Sequence, residues 1–460
     1  MDGSHDEFFD LEEVEALAKK KLKKPVYDYY AGGADTESTV RDNRAVYARY
    51  RLLPRYMVDV SHCDMTYTLL GRKLRMPIIV APMSQQRMAN DEGELAVARA
   101  VAKEGTAMVL STMATQPLED VAKAGKDGPL QLFQLYVIKD RKFCKSLIQR
   151  AGKAGYAGFM VTVDAPRLGN RIADERNKFS LPPGMDISNL KGLEKGKGKG
   201  DSSSHIVRIF QEEVDASLTW EFVKWMREVT DLPVFVKGIL SPEDARKAVD
   251  IGVDGIVVSN HGGRQLDYSP ATLDMIAPIR AAIGHQVPLL MDGGIRRGTD
   301  VLKAIALGAD AVMLGRPVLY GLALQGEEGV RKQMICQHLF VAADLHSLEL
   351  CSRGCQQMVN QPALWQILLV QRFGQLTADQ LLQTTSHLDL LDLKRKYVRL
   401  SRLIIPASEM QAVHLNPGTS PQSGYLGVLP GEYQVLWRTR KDALRPENGS
   451  LDCAGTMSSW

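Results

Sequence analysis

The chain of 460 residues is short of several things, and each shortage removes a class of protein. It has six cysteines, too few for a disulfide-stapled scaffold of this length. Among Cys63, Cys144, Cys336, Cys351, Cys355 and Cys453 only Cys351 and Cys355 are close, and no second pair completes a zinc site. Free thiols in a reducing compartment follow, and no metal is expected. No apolar run approaches the roughly 20 residues needed to cross a bilayer. Neither charge sign dominates, since 57 Lys and Arg stand against 54 Asp and Glu for a net +3. With no long basic block, a nucleic-acid partner is not expected. The opening "MDGSHDEFFDLEEVEALAKK" lacks the apolar core of a secretion signal, and the closing "SSW" is not a peroxisomal address. The expectation is a cytoplasmic protein with no membrane segment.

What is present is a regular alternation. Short apolar stretches recur: "PIIVAP" (Pro77 to Pro82), "AMVLST" (Ala107 to Thr112), "LQLFQLY" (Leu130 to Tyr136), "GFMVTVD" (Gly158 to Asp164), "PVFVKG" (Pro233 to Gly238), "GIVVSN" (Gly255 to Asn260), "PLLMDGG" (Pro288 to Gly294) and "AVMLGR" (Ala311 to Arg316). They lack polar alternation, as strands buried on both faces do. Helical segments separate them. "SPEDARKAVDIG" has Ser241 as N-cap, Pro242 in the first turn and Gly252 as its stop, and "GTDVLKAIALG" stops likewise at Gly308. Eight such units in roughly 240 residues predict an α/β fold, the TIM (β/α)8 barrel. An open doubly wound sheet would carry a Gly-rich nucleotide turn after its first strand, and Pro77 to Gln86 has none.

Around the barrel the pattern is looser. Residues 10–50 read as N-terminal helices, and "YTLLGRKL" around Gly71 as a hairpin that plugs the N-terminal end. "KGLEKGKGKGDSSSH", residues 191–205, is basic, Gly- and Ser-rich, and reads as a mobile loop. After about Gly329 the alternation fades. "ICQHLFVAADLHSLELCSRG" and "LTADQLLQTTSHLDLLDLKRKYVRLSRL" read as helical, and Gly418 to Trp460 as turn-rich and poorly ordered. The expected division is a barrel over residues 1–330 and an atypical, divergent tail over 331–460.

In such a barrel the strand ends share one rim, where active sites of this fold sit. The ends carry Pro82, Met83 and Ser84; Ser111 and Thr112; Gln134 and Tyr136; Thr162 and Asp164; Lys237; Ser259, Asn260 and His261; Asp292, Gly293 and Gly294; Gly315 and Arg316. Each alone reads as a cap or a satisfied loop residue. Collected on one rim behind apolar strands, they read as a site. "DGGIRRG" and "GRP" are Gly-rich and basic, which suits a phosphate. Lys237 can set a fixed charge beside an electron-rich ring, and Gln134, Thr162 and Ser111 can meet a heterocycle's edge. Together these point to flavin mononucleotide (FMN). Tyr29, Tyr136, Asp164, Arg171, His261 and Arg264 are left over. Two arginines can clamp a carboxylate, a histidine can act as general base, and an aspartate can orient it.

The segments "YDYYAGGA", "TVDAPRLGNR", "VKGILSPEDA", "SNHGGRQLDYSPATL" and "DGGIRRGTDVLKAIALGA" resemble, in family order, the FMN-dependent L-2-hydroxy acid oxidases and dehydrogenases. That family includes glycolate oxidase, lactate oxidase, mandelate dehydrogenase and the cytochrome-type L-lactate dehydrogenases. The resemblance runs from about Asp10 to about Gly329. It implies that His261 is the base, that Asp164 supports it, and that Arg171 and Arg264 hold the substrate carboxylate. It implies that the hydroxyls of Tyr29 and Tyr136 bind substrate. For FMN it implies Ala81, Pro82, Met83, Ser111, Gln134, Thr162, Lys237, Ser259, Asp292, Gly293, Arg296, Gly315 and Arg316, with Gly294 in the same turn. The implied reaction takes a 2-hydroxy acid to a 2-oxo acid. His261 takes the hydroxyl proton alongside hydride transfer, or the C2 proton, while two electrons pass to FMN. The resemblance also implies a homotetramer, with oxygen or another acceptor taking the electrons onward.

Two departures carry information. Met113 in "STMAT" stands where glycolate oxidases carry Trp, so an aromatic wall becomes a flexible one and a larger substrate is expected. After Gly329 the pattern of the family's last barrel helix is not found. That leaves a catalytically impaired or non-enzymatic member as the alternative. A flavin-dependent isomerase is a weaker one, because it gives no reason to pair His261 with two arginines.

Overall fold

The computed structural model describes residues 11–52, 64–191, 193, 209–210, 212–345, 427–429 and 432–434. The chain divides into two units, Met1–Asn360 and Gln361–Trp460. In the first, α1 (Leu11–Lys21), α2 (Lys24–Ala31) and α3 (Ser38–Arg49) precede a hairpin of β1 (Tyr67–Leu69) and β2 (Arg72–Leu74). Eight parallel strands then alternate with helices: β3 (Ile78–Val80), α4 (Glu94–Lys103), β4 (Ala107–Leu110), α5 (Leu118–Ala124), β5 (Leu130–Leu135), α6 (Arg141–Ala154) and β6 (Phe159–Thr162). There follow α7 (Ile172–Arg176), α8 (Trp220–Val229), β7 (Val234–Ile239), α9 (Pro242–Ile251), β8 (Gly255–Val258), α10 (Thr272–Ile283), β9 (Leu289–Asp292), α11 (Gly298–Ala306), β10 (Ala311–Leu314) and α12 (Arg316–Leu345). The strands close in the order β10-β3-β4-β5-β6-β7-β8-β9, so the predicted barrel is the observed one.

The helix boundaries follow the signals in the sequence. The Ser241 side chain accepts from the Asp244 N–H at 3.1 Å, Pro242 opens α9, and Gly252 ends it with φ 87°. α4 differs: its N-cap is Gly93, without a side-chain cap. The Glu94 carboxylate instead turns inward and accepts from the Gln86 N–H and from both the N–H and hydroxyl of Thr115.

Period-2 geometry sorts the strand residues into two cores. Ile78, Leu110, Phe133, Val161, Val236, Val258, Met291 and Val312 face the helices. Their neighbours Ile79, Val109, Leu132, Met160, Phe235, Val257, Leu290 and Met313 fill the barrel, in one cluster with Leu69 and Leu74 of the hairpin. The hairpin is therefore the bottom plug that the sequence predicts.

After Gly329 the helix read at "ICQHLFVAADL" is present, as the end of the last barrel helix that the sequence pattern does not show. α12 continues through this region to Leu345, packs against α4 and α11, and buries Val330 and Met334 completely. Glu327 receives Arg99 and Lys103 of α4, and Arg331 reaches Glu104 at 2.8 Å. The helix is broken at Gln325 and Gly326 (φ 58°), so its apolar period changes phase there and is hard to read. The 191–205 loop lies almost wholly outside the described residues, as does the "LTADQ…SRL" stretch. In the second unit two strands, Gly427–Leu429 and Glu432–Gln434, pair antiparallel where the sequence reading places no strand. No described helix is long and apolar enough to cross a membrane.

Leu74 is fully buried at the junction of plug and barrel. Leu74→Ala is expected to remove about 2–5 kcal/mol of stability. The measurement is the thermal unfolding midpoint together with flavin content. An unchanged midpoint would show that the plug does not contribute to the core.

Candidate active site

The parity that fills the barrel also builds its mouth. Two residues beyond the apolar layer, the inward positions become Ala81, Ser111, Gln134, Thr162, Lys237, Ser259, Asp292 and Gly315. Two further on they are Met83, Met113, Tyr136, Asp164 and His261. The strand register thus aims both rings of residues into one pocket. Of the residues nominated from sequence, all but Thr112, Asp164, Ser259 and Asn260 line it, and Asp164 and Ser259 stand one hydrogen bond behind.

The deeper ring is already cross-linked. Gln134 Oε1 accepts from the Ser111 hydroxyl (3.2 Å) and the Thr112 N–H (3.1 Å), while its Nε2 donates to Thr162 (2.9 Å). Lys237 Nζ donates to Ser259 Oγ at 2.8 Å and pairs with Asp292 at 3.1 Å. Burial opposes its charge, but the Asp292 and Asp164 carboxylates outweigh that and hold its pKa above the ordinary lysine value. A buried ammonium therefore stays charged on the barrel floor. Asp292 Oδ1 and Arg296 Nε are buried with no partner in the chain. An acceptor and a donor left open beside a fixed cation match the hydroxyls, phosphate and ring edge of a flavin mononucleotide.

The glycine turn has a second cause. Gly293 and Gly294 have φ 112° and 76°, and a Cβ on Gly294 would lie 1.8 Å from the Asn43 carbonyl oxygen of α3. Both line the pocket, but close passage of α3 is what demands glycine at 294, and at 293 a Cβ would lie 2.7 Å from the Thr272 hydroxyl of α10. Arg316 is likewise shared. Its Nε and Nη2 donate to the carbonyls of Tyr30, Gly32 and Gly262 at 2.9–3.0 Å.

The upper ring carries the reactive groups. His261 Nδ1 is 2.8 Å from Asp164 Oδ1, and its Nε2 is 3.2 Å from the Tyr136 hydroxyl. The carboxylate fixes the proton on Nδ1 and leaves the Nε2 lone pair for the pocket. Burial pushes the His261 pKa below its ordinary value. Asp164 opposes this, and the cations of Lys237 and Arg171 add to it. The imidazole is therefore neutral at neutral pH. Burial of Asp164 works against its charge, but His261 and Lys237 prevail and its carboxyl titrates below the usual range.

Two arginines flank this imidazole. Arg171 is 8% exposed, its Nε has no partner, and burial with repulsion from Arg264 pushes its pKa down to about 10. Arg264 donates Nη1 to the carbonyls of Tyr29 (2.7 Å), Gly32 (3.0 Å) and Tyr30 (3.3 Å), which leaves Nε and Nη2 for a ligand.

The loop that holds His261 is tied to α3. His261, Gly262 and Gly263 all have positive φ (58°, 65° and 74°). Asn260 and Asn43 exchange amide hydrogen bonds at 2.8 and 2.9 Å. Six residues past the base, Asp267 accepts from the N–H groups of Thr36, Ser38 and Thr39 and from the Thr36 hydroxyl at 2.7–3.2 Å. It thereby caps a helix whose own N-cap, Glu37, makes no side-chain capping bond and instead accepts from the Gly33 N–H at 3.0 Å.

Sequence reasoning placed Ser84 on the rim without a role and missed three pocket residues that matter: Gln85, Leu168 and Phe210. Ser84 and Gln85 follow the first strand directly, and parity alone would have brought Gln85 forward. Phe210 packs edge-on against Tyr136 at 5.1 Å, and it follows the Gly- and Ser-rich stretch, where no periodicity marks it. Met113, 2% exposed, lines the same wall.

Residues 18–341 match the family model described as FMN-dependent dehydrogenase, so the match continues past Gly329 into α12. Glycolate oxidase 5 of Oryza sativa subsp. japonica is 46% identical over 354 residues, covering 77% of this chain and 94% of that one. Glycolate oxidase of Spinacia oleracea is 45% identical over 352 residues, covering 76% and 94%. A crystal structure of mandelate oxidase with (S)-4-hydroxymandelic acid superposes with a TM-score of 0.71 at 39% identity, covering 76% of this chain and 96% of that one. By the family match, by these identities and by the barrel they share, the chain belongs to the FMN-dependent dehydrogenases.

Proposed function

We propose that the chain oxidises an L-2-hydroxy acid to the 2-oxo acid, with FMN taking the two electrons. One observation carries this reading: a neutral, carboxylate-backed imidazole stands in a pocket between the buried Arg171 and the half-buried Arg264, and above a buried lysine. When bound, FMN supplies the two-electron acceptor at the pocket floor. Ala81, Pro82, Met83, Ser111, Gln134, Thr162, Lys237, Ser259, Asp292, Gly293, Gly294, Arg296, Gly315 and Arg316 would hold it. Lys237 keeps positive charge there, where negative charge develops.

The residues of the chain do the remaining work. Arg171 and Arg264 bind the substrate carboxylate, and the second fork presents donors in a plane that matches it. Tyr29 and Tyr136 frame the hydroxyl-bearing carbon. His261 Nε2 accepts a substrate proton, and Asp164 stabilises the imidazolium that results. Met113, Leu168 and Phe210 wall the substrate's chain. Dioxygen is proposed as the final acceptor, which the oxidase names of the relatives support. A homotetramer, a cytoplasmic location and a barrel domain ending near residue 330 are proposed from the sequence reading. Anaerobic mixing with a panel of 2-hydroxy acids tests the whole reading, since any substrate bleaches the flavin absorbance. A holoprotein that none of them bleaches would refute it.

His261→Gln is expected to keep FMN and bind the acid while bleaching slows by about 10²–10⁴-fold, the range general bases supply. A fall of less than about tenfold per bound flavin would remove His261 from the role of base.

The depressed pKa sets the pH dependence. Protonated His261 cannot accept a proton, so activity is lost as pH falls through its pKa. Burial places that pKa below the ordinary 6.5. The acid limb of kcat/KM should therefore lie below 6.5. A limb centred above that value, in a pH profile of kcat/KM, would contradict the assignment.

Met113→Trp is expected to shift preference toward short acids, because an indole fills space that the thioether leaves adaptable. The check is the ratio of kcat/KM for glycolate against a long-chain 2-hydroxy acid. An unchanged ratio would show that Met113 does not contact the substrate's chain.

A further inference from the structure

Gln85 has three properties that ordinary packing does not account for together. It is fully buried and lines the pocket. Its backbone has φ 52°, the left-handed region that a residue with a side chain seldom adopts unless its surroundings impose it. Its side-chain Nε2 is buried and has no partner in the chain.

The rest of the residue is held rigidly. Its N–H donates to the Met113 carbonyl at 3.3 Å, and its own carbonyl accepts the Tyr30 hydroxyl at 2.6 Å. Its Oε1 accepts the Tyr29 hydroxyl proton. With that proton committed, the Ser84 hydroxyl is the donor in its 2.8 Å contact with Tyr29. The Tyr29 ring is itself fixed by stacking on Phe179 at 4.3 Å. The carboxamide is thus locked with its oxygen on Tyr29, and the two N–H donors of Nε2 are left over. A buried donor without an acceptor is costly unless a ligand supplies the acceptor.

Gln85 stands between Tyr29, at the carboxylate end of the pocket, and Met113, at the wall that meets the substrate's chain. We propose that Gln85 determines substrate class: its Nε2 donates to an oxygen on the substrate beyond C2, so the preferred acids carry a hydroxyl or carbonyl on the side chain. This inference rests on the hydroxy-acid reading above and narrows it.

The test uses two acids of nearly equal size, L-2,3-dihydroxypropanoate and L-2-hydroxybutanoate, which differ in a terminal hydroxyl against a methyl. With the wild-type holoenzyme, kcat/KM should favour the dihydroxy acid by about tenfold. Gln85→Met keeps an unbranched side chain of similar length and removes the N–H donors. Any disturbance of Tyr29 acts on both acids alike, so the ratio of the two constants isolates Nε2. That ratio should fall about tenfold, and flavin content reports whether the variant has kept its site. A ratio that moves by less than about twofold overturns the proposal, as when Nε2 serves the carboxylate that both acids share. If the variant fails to hold FMN, the wild type alone decides: equal use of the two acids, or preference for 2-hydroxybutanoate, sinks the idea. If neither acid bleaches the flavin while other 2-hydroxy acids do, Gln85 is not the selector but the base chemistry stands. If no 2-hydroxy acid bleaches it, both fall together.

Discussion

Four arginines, Arg171, Arg264, Arg296 and Arg316, converge on one buried pocket, and their mutual repulsion is the constraint the site must satisfy. Burial, with Arg264 next, pushes both Arg171 and Arg316 down to about 10. Both remain charged at neutral pH. For Arg264 and Arg316 the crowding is met by the C-terminal end of α2. Its exposed carbonyls at Tyr29, Tyr30 and Gly32 receive Arg264 and Arg316 together. The negative pole of a helix end, reinforced by direct hydrogen bonds, is a natural seat for cations. The same end carries Tyr29 and Tyr30, whose hydroxyls run on to Gln85. One short helix thus holds the cations in place and sets the first strand's rim.

The second dependence is on α3. It closes over the β9 turn so tightly that only glycine fits at position 294, and it trades amides with Asn260 beside the base. A histidine with φ 58° needs such support, since backbone strain of this kind costs about 1–3 kcal/mol. His261 is therefore held from both sides, by Asp164 and Ser259 at the strand ends and by α3 outside the barrel.

The fold was legible because its signals are local. Eight apolar runs, the Ser241–Pro242 start and the Gly252 stop each state their role within a few residues, and the barrel closes as they require. Most of the site was legible for a related reason: strand parity and strand ends can be counted in sequence. What stayed hidden depends on distant partners. Asp267 reads as one more loop acid until α3 lies against it, and Asn43 has no sequence mark of its pairing with Asn260, 217 residues away. Gly293 and Gly294 read as an anion turn in sequence, and the packing of α3 and α10 against them is a second reason for glycine that no local pattern shows. Gln85 was passed over because its interest lies in one unsatisfied atom, which no pattern displays. The last barrel helix was obscured by the break at Gly326, which resets its apolar phase.

The cap that Asp267 places on α3 joins residues 228 apart in the chain. On the ribosome this separation becomes a delay. At about 5–20 residues per second, α3 emerges roughly 10–50 s before the carboxylate that finishes its first turn. During that interval α1, α2 and α3 present apolar faces with no barrel to cover them. The newly made chain must be shielded in trans, or must stay unstructured at its start, until β8 and its loop have been synthesised.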